Sequence, residues 1–176
     1  MGKHTFKQGN LDGLCGVYSI INAINHVTKE YKDRDKAEKL FIKLIKKNSH
    51  QFPLAVYNGA DFSMIREFVE SIVSNRLPLN IIYPFVIDRP KKITKYLNSL
   101  QSILSEKRSA AIVAVGPGLH IEQGHWTVIT KVTDTHVHFS DSNYEVDPIP
   151  RSDLSFSFTN RKLGIYPVEV IVLQEK

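Results

Sequence analysis

Cysteine is nearly missing from this chain: Cys15 stands alone among 176 residues. A solitary thiol closes no internal disulfide, and without a second thiolate a sulfur cage for zinc is disfavoured. No run approaches the roughly 18 consecutive apolar residues of a membrane span, so no membrane partner is expected. The opening residues Met1 to Lys7 lack the apolar stretch of a signal peptide. Phe6 occupies the position where myristoylation needs Ser or Thr. The expected setting is the cytoplasm, or export without a cleavable signal peptide. Glycine and proline are few (9 and 8) and, outside the turn at 116–124, punctuate the chain singly, which argues against linkers, low-complexity segments and a glycine-rich phosphate loop. RNA-recognition aromatics and zinc-finger spacing are also missing, and the net charge of +5 is modest. No nucleic acid is therefore expected as a partner. No cofactor and no resident metal is expected either.

What is present suits one soluble domain over residues 1–176. Hydrophobic residues make up 42% and charged residues 23% of a 20.0 kDa chain, ordinary usage for a globular protein. A chain of this size buries about 70% of its unfolded surface and needs no covalent staple. The densest basic run, Lys39 to Lys47, spaces Leu40, Phe41, Leu44 and Ile45 along one helical face, which leaves its lysines solvated. The basic balance leaves open an acidic target protein.

Helical periodicity places helices at about Leu14 to Thr28, Asp35 to Lys47 and Asp61 to Ser74. Val17, Ile20, Ile21, Ile24 and Val27 line the first, and Asp61 offers an N-cap to the third. Leu79 to Val86 reads as a strand, and Pro90 to Glu106 as a helix opened by its proline. From Ala110 onward the pattern changes to β-branched and alternating stretches: Ala110 to Val115, His125 to Val132, Thr135 to Ser142 and Gly164 to Leu173. Helices first and an antiparallel sheet afterwards predict an α+β fold.

Cys15 falls at the start of the first helix, where unpaired N–H groups and the helix dipole favour a thiolate. Gly16 after it permits close approach of backbone or substrate. A nucleophile needs a base, and His125 opens a strand after the glycine-rich turn 116–124. With the following hairpin centred on Thr133, His125 and Asp141 fall directly opposite each other, within imidazole–carboxylate reach. On the same face Thr127 and Ile129 meet Phe139 and Val137, a surface expected to receive the Cys15 helix. His125 then takes the thiol proton and Asp141 orients the ring. Gln8 stands upstream, where its amide and the Cys15 N–H can hold an oxyanion. Gly124, Trp126 and Asn143 are candidates for the walls of a substrate cleft, and Asn143 is an alternative to Asp141 as orienter. His136 and His138 alternate on a strand without an acidic ligand at usable spacing, so they are read as its outer face.

Gln8, Cys15-Gly16, Gly124-His125-Trp126 and Asp141-Ser142-Asn143, in that order, resemble the papain-like cysteine peptidases. The chain is most similar to their compact bacterial type, which includes the bacteriocin leader peptidases and uses Cys, His and Asp. The resemblance implies a papain-like fold, a nucleophile helix and helical portion packed on a C-terminal antiparallel sheet. It implies Cys15 as nucleophile, His125 as base, Asp141 as orienter and Gln8 as oxyanion donor. The implied activity is cleavage of a peptide or isopeptide bond in a protein or peptide substrate, through a Cys15 thioester. The same triad serves transglutaminase-like acyl transfer and glutamine deamidation, and an inactive papain-like module that binds a partner is the non-enzymatic alternative.

Overall fold

The computed structural model describes residues 5–8, 13–28, 30–73, 77–116, 124–142, 148–158 and 161–176. They form an α+β arrangement built on one mainly antiparallel sheet. Helices α1 (Cys15–Thr28), α2 (Arg34–Lys47), α3 (Phe52–Asn58) and α4 (Phe62–Val73) precede strand β1 (Leu79–Ile82). Helix α5 (Ile93–Glu106) follows, then β2 (Ser109–Val115), β3 (His125–Val132), β4 (His136–Ser140), β5 (Ile149–Pro150), β6 (Leu154–Ser155) and β7 (Leu163–Glu175). The strands lie in the order β1-β7-β2-β3-β4-β5, and the short β6 runs parallel to the start of β7. None of the helices among the described residues is long and apolar enough to cross a membrane.

The sheet is covered on both faces, so β2 is buried along its whole length and reads as a continuous apolar run. On one face Ala110, Ile112, Ala114, Trp126 and Val128 pack with the apolar stripe of α1 and with α2, α3 and α4. On the other, Ala111, Val113, Ile129, Val137 and Phe139 pack with Tyr96, Leu97 and Leu100 of α5. The surface of Thr127 and Ile129 was expected to receive the Cys15 helix. It receives α5 instead, and α1 takes the alternate residues of β3.

The β3–β4 register also differs from the expected one. The hairpin closes through a four-residue turn, Thr133 to His136, in which the Thr133 hydroxyl donates to His136 O (3.0 Å) and accepts from His136 N (2.9 Å). This turn sits further along the chain than a hairpin centred on Thr133. The register then shifts between Ile129 and Lys131, leaving Thr130 as an extra residue on β3. Beyond it Ile129 pairs with Phe139 and Val128 with Ser140. The displacement amounts to two residues, an even number, so every side chain keeps its face. His125 and Asp141 are thus diagonal neighbours on one face rather than directly opposed.

Three smaller expectations also fail. Pro90 lies before α5, which starts at Ile93 after Lys92, and not in its first turn. Strand β1 ends at Ile82 rather than Val86. Helix α3 was not anticipated, because seven residues with a proline at the second carry no readable periodicity. The Asp61 cap is present: its carboxylate accepts from Met64 N at 2.9 Å.

Helix α3 braces the entry to α1. Gly13 N donates to Val56 O at 2.9 Å, and a Cβ on Gly13 would stand 2.9 Å from that oxygen and 3.1 Å from Ala55 O. Backbone cannot step aside as a side chain can. Gly13→Ala is therefore expected to cost about 1–3 kcal/mol, seen as a melting temperature lower by about 2–4 °C for each kcal/mol. An unchanged melting temperature would show that the contact is looser than drawn.

Candidate active site

The antiparallel connections bring chain-distant residues to one end of the sheet. The end of β2, the start of β3, the end of β4 and the start of β7 all meet there, since Val115 pairs with both His125 and Ile165. The N-terminus of α1 reaches the same end because Ser19 Oγ donates to Trp126 O at 2.8 Å. That buried bond fixes α1, one turn after Cys15, against the residue following His125.

Cys15, half-buried and unbridged, lines a crevice of about 290 Å³ together with Gly124, His125 and Trp126. The other walls are Asn58 to Phe62 between α3 and α4, Ala114 and Val115 of β2, and Tyr166 and Glu169 of β7. His125 Nε2 stands 2.9 Å from Asp141 Oδ2 and 3.1 Å from Oδ1. Both residues are buried, at 8% and 5% exposure. The Cys15 side chain lies close enough to the same imidazole to interact with it electrostatically. With Nε2 occupied by the carboxylate, Nδ1 is the nitrogen left for sulfur. Burial draws the His125 pKa down. The hydrogen bond and charge of Asp141, with those of Cys15, outweigh it and hold the ring raised to about 9 from 6.5. The imidazole is then charged at neutral pH and can act as counter-ion to a sulfur anion or as proton donor to a leaving group.

Gln8 N donates to Ser142 O at 2.9 Å, one residue beyond Asp141. Residues 5–8 are strapped down further by Asn22. Its side chain accepts from Phe6 N (2.8 Å) and donates to Phe6 O (3.1 Å). The hydroxyls of Thr5 and Ser140 share a bond of 2.9 Å. Gln8 is thereby held beside Asp141 and Ser142, and it is not among the residues lining the crevice. Asn143 lies outside the described residues, so the alternative orienter has no position here.

Trp126 serves both packing and the crevice wall. Its indole Nε1 donates to Ala60 O at 2.6 Å, and its ring stacks on Phe62 with centroids 6.3 Å apart. Gly16 has a different use from the one expected. A Cβ there would fall 2.2 Å from Ile65 Cδ1 and 3.3 Å from Trp126 Cδ1, so it admits the seating of α1 against α4 and β3 rather than a substrate. No sequence signal tied Ser19 or Asn22 to the site, and Asp61, Tyr166 and Glu169 were missed as crevice residues. The first two looked like ordinary polar positions on an apolar helix; the rest carry no spacing that ties them to Cys15.

Among the described residues no group of three or more His, Cys, Asp and Glu side chains could hold a metal ion. No protein-family model matches the chain, and no curated protein matches it either.

Proposed function

We propose that this chain is a papain-like cysteine peptidase that cleaves a peptide or isopeptide bond through a thioester at Cys15. One observation carries the reading: a single buried imidazole is held between the Asp141 carboxylate, at 2.9 Å, and the Cys15 side chain. Sulfur attacks the substrate carbonyl and the oxyanion forms beside the Cys15 N–H, which as a first-turn amide has no intrahelical acceptor. Gln8, held at Ser142, is the second donor. The His125 imidazolium passes its proton to the departing amine as the C–N bond breaks. The neutral ring then takes a proton from water, whose oxygen displaces sulfur and releases the acid. Asp141 keeps the ring aligned through both halves and stabilises its charged form whenever it carries the proton.

Alkylation by iodoacetamide tests the reading before any substrate is known. An ordinary thiol with a pKa near 8.5 is only about 0.3% thiolate at pH 6. Cys15 is expected to react at pH 6 at least about tenfold faster than such a thiol, and His125→Ala to remove that advantage. Labelling no faster than a free thiol overturns the proposal. Mass spectrometry of treated peptides then separates outcomes: chain cleavage for a peptidase, a mass change at Gln for acyl transfer or deamidation.

A further inference from the structure

Strand β7 is interrupted where it passes the crevice. Val113 of β2 pairs with Val170 and Val115 with Ile165, so four residues of β7, Tyr166 to Glu169, face a single residue of β2. Pro167 within them has no N–H to offer the ladder. The extra length places Tyr166 and Glu169 on the crevice wall, as bulges beside functional sites commonly do. Opposite stand Phe62 and Trp126, with parallel rings 15° apart.

Glu169 is half-buried there, and among the described residues it has neither an ion pair nor a hydrogen bond. Burial first, and then the negative charge of Asp61 across the gap, push its carboxyl above the usual range. Asp61 itself is held below that range by the hydrogen bonds of Met64 N and Ser63 that cap α4. Among the described residues the other ionisable groups on the crevice wall are Cys15, His125 and the phenol of Tyr166, and Asp141 already answers the ring's charge. Among the described residues this half-buried carboxylate is thus left without a cation, in a chain that otherwise has basic residues in excess.

We infer that the Tyr166–Glu169 bulge is a specificity subsite, in which Glu169 pairs with a Lys or Arg side chain on the acyl side of the scissile bond. This inference rests on the peptidase reading. Phe62, Trp126 and Tyr166 take the aliphatic stem and the face of the cation, and Glu169 accepts from its N–H groups.

Peptidyl chloromethyl ketones test it, bearing Lys, norleucine or Glu at the first or second position from the reactive carbon. Wild-type protein is expected to be alkylated at Cys15 about tenfold faster by the Lys reagent than by the norleucine reagent, the ratio one charge-assisted hydrogen bond supplies. The Glu reagent should be slowest. Glu169→Gln is expected to abolish the Lys preference, read as the ratio of the Lys rate to the norleucine rate within that variant. Equal Lys and norleucine rates in wild type, or a preference that survives Glu169→Gln, overturn the subsite while leaving the peptidase reading in place. Aminoethyl and sulfonatoethyl methanethiosulfonates need no catalysis, so they read the crevice even if the peptidase reading fails. Their rate ratio at Cys15 must fall several-fold in Glu169→Gln, and an unchanged ratio counts against the subsite.

Discussion

Cys15→Ala is expected to remove turnover altogether, by on the order of 10⁵–10⁶-fold in kcat, the loss seen when a covalent nucleophile is deleted. No other thiol exists in the chain to substitute. The structural cost should be small, since the side chain is half-buried at a crevice wall rather than in the core. Truncating it is expected to cost less than about 1 kcal/mol, so the melting temperature should move by no more than about 4 °C. The two measurements belong together. A folded, inactive protein supports the nucleophile, whereas purified Cys15→Ala that still processes its substrate shows that the chemistry lies elsewhere.

Asp141→Ala is the second large effect. Without the carboxylate the ring loses its hydrogen bond and its counter-charge, and burial, the strongest influence on it, is opposed by Cys15 alone. Its pKa is therefore expected to fall from about 9, and kcat by about 10³–10⁴-fold. Asp141→Asn separates orientation from charge, because an amide oxygen still accepts from Nε2 but brings no negative charge. It should retain more activity than Asp141→Ala while its alkylation profile shifts to lower pH. A pH profile of Cys15 alkylation identical to wild type in both variants would show that Asp141 does not govern the ring. The sign for stability follows from the same values. The folded protein holds the His125 proton more tightly than the unfolded chain, so the ring's stabilisation is complete below about pH 6.5 and fades as pH climbs through about 9.

How far the sequence revealed this arrangement depends on the kind of signal. Helix α1 was readable to within a residue because Val17, Ile20, Ile21, Ile24 and Val27 form an uninterrupted stripe, and all of them are buried. His125 and Asp141 were joined through a register that was wrong by two residues. The pairing survived because strand periodicity is two, and an odd error would have sent Asp141 to the other face. The Thr133 hydroxyl that sets the turn, and the extra residue at Thr130, are local events that alternation does not encode. The identity of the helix facing each surface was invisible for another reason. Both surfaces of a doubly covered sheet are apolar, so Trp126 and Val128 differ little in character from Ile129 and Phe139. Gly16 stands beside Cys15 and invited an explanation by close approach of backbone or substrate, whereas the side chain of Ile65, its actual neighbour, is far along the chain. The crevice residues of β7 were hidden inside what reads as a long ordinary strand.

The central pair β2 and β7 contributes side chains to both apolar clusters, Ile112 and Ile171 to one and Val113 and Val170 to the other. Neither half can lose its packing while the other keeps an intact floor. Heat or denaturant should consequently melt both in a single cooperative step. The crevice end is built from the tips of these same strands, so its geometry should persist undiminished until the molecule as a whole gives way.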